Sequence, residues 1–174
     1  MRINEKKCEF MQSELKYLGL IVANGKLKIP DDQLEKIKSL KFPLTKTQAR
    51  SVISFLSFFR KFTPNFAHYA RSISNKLKKV SEKSSPEDIQ KFITLKEKIC
   101  ENAELCLPYH NEKFIVFTDA SNLAIAGALK QKQQGTLRPV FRVSRPLLDR
   151  EKNYSTTEKE FLAVVWTINQ FKFI

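Results

Sequence analysis

Two hydrophobic rhythms divide this chain. Through residues 31–40, 45–62, 66–80 and 86–103 apolar side chains recur every three or four positions, the spacing of one helix face, whereas 14–29, 114–118, 123–131 and 139–145 carry the runs and alternations of strands. In "ELKYLGLIVANGKLKI" (14–29), Leu15, Tyr17, Leu18, Leu20, Ile21 and Val22 lead into Asn24-Gly25, and Leu27 and Ile29 follow, which predicts a β-hairpin ended by Pro30. Asp31 and Asp32 suit the start of a short helix to residue 40, with Leu34, Ile37 and Leu40 at helical spacing. "TKTQARSVISFLSFFRKF" (45–62) is the clearest amphipathic helix: Thr45 or Thr47 serves as N-cap, Val52, Phe55, Leu56, Phe59 and Phe62 share a stripe, and Pro64-Asn65 breaks it. Residues 66–80 repeat the pattern with Phe66, Tyr69, Ile73 and Leu77.

A polar linker, "SEKSSPEDIQ" (81–90), ends in a strong helix start, with Ser85 as N-cap, Pro86 at the first helical position and Asp88 in the capping-box place. The helix behind it runs to about Ala103 and presents Ile89, Phe92, Ile93 and Ile99. From residue 107 the pattern is that of strands, at 114–118, 123–131 and 139–145 with a turn around Gly135, so an antiparallel meander is expected. "STTE" (155–158) then makes a capping box for a last helix whose pattern persists to Ile174.

Composition bounds the class. With 174 residues and 42% hydrophobic content the chain can bury a core. No run approaches the roughly 18 apolar residues of a membrane span, and "MRINEKKCEF" has no secretory apolar segment, so the expectation is an intracellular protein, cytoplasmic or nuclear, not secreted and without a membrane partner. The three cysteines (Cys8, Cys100, Cys106) include no CxxC pair and the two histidines (His68, His110) are far apart, which argues against a disulfide framework and against structural zinc.

Charge changes the picture more. Residues 1–80 hold 17 Lys+Arg against 6 Asp+Glu, residues 81–118 hold 5 against 7, and residues 119–174 hold 9 against 5. From Lys36 to Val80 there are 11 basic residues and not one acid. A merely solvated surface mixes signs, so this stretch points to a polyanionic partner.

The candidate chemistry lies in the second half. "FIVFTDAS" (114–121) ends an apolar strand on a single acid, Asp119, which reads either as a turn former or helix cap or as a metal ligand held rigid by the strand. In the last helix Glu160 falls on one line with Val164, Ile168 and Phe171, which places it on the expected core-facing stripe, whereas Glu158 is explained by capping. Glu160 reads either as a helix-dipole acid or as a partner of Asp119, and two such carboxylates, being oxygen donors, favour magnesium or manganese.

Four ordered blocks carry a resemblance: "KCEF" with "YLGLIV" (7–10, 17–22), "SFLSFFRKFTPNFA" (54–67), "FIVFTDASNLAIAGAL" (114–129) and "SRPLLDREKNYSTTEKEFLAVVWTI" (144–168). They resemble the part of a gypsy-class LTR retrotransposon Pol polyprotein that runs from the end of the reverse transcriptase palm, through the thumb, into the ribonuclease H domain. The resemblance implies an α+β fold: residues 1–82 form the end of the palm and a helical, basic, thumb-like module, and residues 83–174 form the N-terminal part of a ribonuclease H-like fold, three antiparallel strands plus a helix.

It implies further that the chain grips an RNA/DNA template-primer duplex, through Lys46, Arg50, Arg60, Lys61, Arg71, Lys76, Lys78 and Lys79 among its basic residues. In the family four acids hold two divalent metals that cut the RNA strand of a hybrid. Of these, the first falls on Asp119 and the second on Glu160. The other two are expected beyond Ile174, since residues 161–174 contain no Asp or Glu, and the nearby Asp149 and Glu151 match no metal position. No Tyr-x-Asp-Asp motif of the polymerase palm occurs. Ser57 stands where the family commonly has glycine, and Phe58-Phe59 replace a common tyrosine pair.

The expectation is therefore a polyprotein fragment with Mg2+ or Mn2+ as cofactor at an incomplete site, the remainder of the Pol polyprotein as partner, and no cleavage by these residues alone. A non-enzymatic, basic nucleic-acid-binding remnant of such an element is the alternative. In the fold that this resembles a further strand lies beside the first, so "FIVF" (114–117) is expected to show an open apolar edge that promotes self-association.

Overall fold

A computed structural model describes residues 10–78 and 85–172, with the backbone alone for Lys76 and Lys78. Its first sheet comes from the segment expected to be one hairpin. Residues 14–29 fold instead into three antiparallel strands, β1 (Glu14–Tyr17), β2 (Leu20–Ala23) and β3 (Lys26–Lys28). The second reversal is the foreseen Asn24-Gly25 turn, with φ of 51° and 68°. The first lies at Leu18-Gly19, with φ of 48° and 76°, and pairs Tyr17 with Leu20. Glycine takes the left-handed region freely and leucine does not, so this turn carries no sequence signal at its first position.

Four helices follow: α1 (Asp31–Ser39), α2 (Lys46–Ser57), α3 (Phe66–Lys78) and α4 (Pro86–Glu101). Thr45 caps α2 by accepting from the Gln48 N–H, and the Gln48 side chain accepts from the Thr45 N–H in return. The helix ends five residues before the expected Phe62 because the chain tightens into three-residue turns, Phe59 N–H to Leu56 O and Phe62 N–H to Phe59 O. Ser85 caps α4 as expected, accepting from the Asp88 N–H at 3.1 Å.

A three-residue strand, β4 (Glu104–Cys106), then pairs with β3 and completes the sheet in the order β1-β2-β3-β4. Three residues are too few to show an alternation, so the sequence pattern does not announce it. Ile37, Leu56, Phe59, Phe62, Ile73, Phe92, Leu95, Ile99 and Leu105 form one buried cluster. The helix and strand after the polar linker thus close the core of the helices before it.

The remaining strands, β5 (Phe114–Ala120), β6 (Ala124–Gln133) and β7 (Thr136–Pro146), make the expected antiparallel meander in a separate sheet, with Gln134-Gly135 as its second turn. A short 3-10 turn (Asp149–Asn153) leads into α5 (Thr156–Phe171), capped by Ser155 and Glu158 as expected. Arg145 anchors that turn with a two-pronged contact to Glu151 at 2.6 and 2.9 Å, and the Leu148 N–H adds a third bond at 2.8 Å. Hydrogen bonding to the Arg145 guanidinium holds the Glu151 carboxyl below its ordinary pKa. Among the described residues no helix is long and apolar enough to cross a membrane.

Strand alternation assigns the two faces of this sheet. Ala120, Ile125, Gly127 and Leu129 point one way, towards α5, where Ala120 and Ile125 cluster with Ala163. A Cβ added at Gly127 would lie 2.2 Å from Thr167 Cγ2, so the absence of a side chain there is what lets α5 lie against β6. On the opposite face Asp119, Ala126 and Ser144 form one cross-strand row and Phe117, Ala128 and Arg142 the next. This face meets the helical half. Ser144 Oγ accepts from the Ala67 N–H at 3.0 Å, Arg60 donates to the Ser144 carbonyl, and Arg142 donates to the Phe62 carbonyl and to Asn102 Oδ1. The sheet is therefore held between α5 and the α2–α3 unit.

Candidate functional site

Asp119 is exposed and sits next to the C-terminal residue of β5, opposite Ala126. Its parity places it on the face towards the helices. There Asn65, in the turn between α2 and α3, donates from Nδ2 to Asp119 Oδ2 at 3.1 Å. The contact lies in a small cleft lined by Pro64, Asn65, Phe117, Asp119, Gly127 and Arg142. Burial lowers the pKa of the Arg142 guanidinium, whose donors are turned to Phe62 and Asn102.

Glu160 is in the first turns of α5, on the helix that covers the other face. The sequence pattern set it on a core-facing stripe with Val164, Ile168 and Phe171, and the structure corrects this. The buried line of α5 is Lys159, Ala163 and Thr167, while Glu160 is exposed and Val164 and Ile168 remain 37% and 56% exposed. The reason is steric: the side of the helix with alanine and threonine fits over Gly127, and the bulkier valine-isoleucine side does not. Lys159 Nζ donates to Asn122 Oδ1, which ties the first turn of α5 to the loop after β5. Asp119, near the C-terminal end of β5, and Glu160, in the first turns of the helix packed on β5 and β6, thus share one end of the sheet.

Among the described residues no three His, Cys, Asp or Glu side chains come together as a metal-binding group. Asp119 and Glu160 are both exposed carboxylates. Exposed oxygen donors of this kind suit a hard cation that keeps most of its water, magnesium or manganese. Asp149 and Glu151 belong elsewhere: Asp149 pairs with Lys152 and Glu151 with Arg145.

The basic residues fall into three groups. Lys46 and Arg50 are exposed one turn apart on α2. Arg60, Lys61 and Arg71 are partly engaged by the protein: Arg60 bonds Ser144 and lies over the Phe66 ring, Lys61 is half-buried over Phe62 with its pKa lowered by that burial, and Arg71 lines a cavity between α3 and the Pro146–Asp149 segment. The Lys76 and Lys78 side chains and Lys79 lie outside the described residues. No signal in the sequence ties Asn65 or Arg142 to Asp119. Asn65 lies in the 54–67 block, where it reads as a helix breaker with Pro64 or as a cap of the next helix.

The family model described as "RNase H-like domain found in reverse transcriptase" matches residues 85–174. The chain belongs to that family. This RNase H-like domain and the helices before it are also similar over almost their full length to retrotransposon Pol polyproteins. They are 35% identical over 174 residues to the retrovirus-related Pol polyprotein from transposon 297 of Drosophila melanogaster, across 99% of this chain and 16% of the relative. To the Pol polyprotein from transposon gypsy of the same organism they are 30% identical over 185 residues, across 99% of the chain and 18% of the relative. The chain thus spans about a sixth of these relatives. In structure it resembles the foamy viral protease-reverse transcriptase in complex with RNA/DNA hybrid, with a TM-score of 0.76 at 18% identity over 95% of this chain and 23% of that one. The α+β fold, with antiparallel sheets and an RNase H-like second half, is that of the reverse transcriptase family.

Proposed function

We propose that this RNase H-like reverse transcriptase segment grips RNA/DNA hybrid, and duplex nucleic acid generally, through α2 and α3, and that Asp119 and Glu160 are its share of a divalent-cation site for cutting the RNA strand of a hybrid. The observation that carries the first part is the acid-free run of 11 basic residues from Lys36 to Val80, folded over its described part into one helical unit with Lys46 and Arg50 exposed. Such residues neutralise phosphates and hold a duplex without reading its bases. Arg60, Lys61, Arg71, Lys76, Lys78 and Lys79 are the further contacts of this reading. The foamy viral protein of like fold is in complex with RNA/DNA hybrid, which supports the choice of ligand. The partner in sequence is the rest of a Pol polyprotein, and the cation is Mg2+ or Mn2+.

Fluorescence anisotropy with two hybrids of unrelated sequence tests the grip. Wild-type affinity is expected to be equal for both, and Lys46→Glu with Arg50→Glu is expected to weaken both alike, by about tenfold or more, because two phosphate contacts are replaced by repulsion. Equal affinity of the double variant removes α2 from the interface.

The reading includes contact between copies. Phe114, Ile115, Val116 and Phe117 are 41–43% exposed on β5, which has a neighbour on one side only among the described residues. Open apolar edges recruit other strands. Sedimentation of the 174-residue chain is expected to show concentration-dependent association that Ile115→Lys reduces. A clean monomer at high concentration rules this contact out.

A further inference from the structure

An asparagine directly before a helix ordinarily spends its side chain on the first free N–H groups of that helix. Asn65 precedes α3 and does not do so. Its backbone is left-handed, with φ of 50°, its carbonyl accepts from the His68 N–H at 3.0 Å, and the Ala67 N–H, one of the groups a cap would serve, bonds Ser144 Oγ of β7 instead. The Asn65 carboxamide is thereby released, and the one hydrogen bond it makes among the described residues is the donation to Asp119 Oδ2.

The exchange is set by register. Ser144, Ala126 and Asp119 are consecutive partners across β7, β6 and β5, so the strand row that caps α3 at one end presents the carboxylate at the other. The turn between the two basic helices is therefore connected to the chain's first candidate ligand, across 54 residues of sequence.

We propose that Asn65 is a positioning residue for Asp119: its amide fixes Oδ2, leaves Oδ1 for a divalent cation, and makes the carboxylate's orientation depend on the seating of the α2–α3 unit. This rests on the reading of Asp119 as a cation ligand. A hydrogen bond to one oxygen restricts the carboxylate's rotation and so reduces the ordering that cation binding requires; outer partners of this kind typically change affinity by about 10- to 100-fold.

Asn65→Gly isolates the amide. Glycine keeps the left-handed backbone without strain and removes the side chain with its donor. Mn2+ titrations of the 174-residue chain by water-proton relaxation, with the Asn65 side-chain amide followed by 15N NMR, give two readouts that need no cleavage. In the metal-free protein Asp119→Asn is expected to shift the Asn65 amide signal. Asn65→Gly is expected to weaken Mn2+ binding about tenfold while the backbone spectrum outside residues near 65 and 119 is unchanged. If folded Asn65→Gly binds Mn2+ as tightly as wild type while Asp119→Asn does not, the positioning role is wrong and the ligand reading stands. If the wild type binds no Mn2+, or Asp119→Asn binds it equally, the ligand reading is wrong and the positioning role falls with it. An Asn65 amide signal indifferent to Asp119→Asn refutes the contact itself.

Discussion

Gly127→Ala is expected to destabilise the protein by about 3 kcal/mol, at the upper end of what one added core methyl costs, and to lower its melting temperature by roughly 10 °C. The added carbon would lie 2.2 Å from Thr167 Cγ2, 2.4 Å from its hydroxyl and 2.9 Å from its Cβ. None of these is the far end of a flexible chain. Thr167 is fully buried and its position is fixed by the seat of α5, so the helix itself has to move off the sheet, loosening the cluster of Ile125, Leu147 and Ala163. Thr167→Ala removes two of the three clashes. In that background the cost of Gly127→Ala is expected to fall by at least about 1 kcal/mol, a coupling typical of residues in contact. Thr167→Ala alone is expected to cost little for its lost methyl, because the buried Thr167 hydroxyl has no hydrogen-bond partner in the described structure. Thermal melts of the four proteins measure the cycle. Additive effects would mean that α5 is not seated on Gly127.

The second large effect concerns cleavage. Residues 161–174 hold no acid, and the resemblance assigns two further acids to the following part of a Pol polyprotein. Joined to that following segment from a related element, the chain is expected to cut the RNA strand of a hybrid with magnesium present. Asp119→Asn or Glu160→Gln is then expected to reduce cutting by at least about 10³-fold, since groups that act as one unit fail together when one is lost. The exposure of Glu160 makes this informative. If Glu160→Gln leaves the rate unchanged, Glu160 is a helix-start acid and its pairing with Asp119 is wrong. Cleavage by the 174 residues alone would mean that other acids complete the site.

Local signals in this sequence were legible wherever one residue type had one dominant reason to be present. Ser85, Ser155 and the Asn24-Gly25 turn stand where the pattern put them, because caps and left-handed turns are decided within a few residues. The Leu18-Gly19 turn and β4 were not legible. The first uses a residue that tolerates the conformation poorly, and the second exists through pairing with a strand 78 residues away. The buried face of α5 departs from its hydrophobic stripe for a different reason. Hydrophobic periodicity finds the bulkiest stripe of a helix, whereas close contact with a glycine on a strand selects the smallest, and Ala163 with Thr167 won over Val164 with Ile168. Asp119 and Glu160 stand out as candidates through the residues and the family pattern together. The Asn65 contact to Asp119 needed the register of three strands, which no local pattern encodes.

The salt dependence of hybrid affinity tests the central claim most directly. Between about 50 and 200 mM KCl, log affinity plotted against log salt is expected to fall with a slope of about −0.9 for each phosphate contacted, and Lys46→Glu with Arg50→Glu is expected to make that slope shallower by about 2. A wild-type slope near zero, or a slope that the double variant leaves unchanged, would contradict the claim that the acid-free helical pair is what holds the duplex.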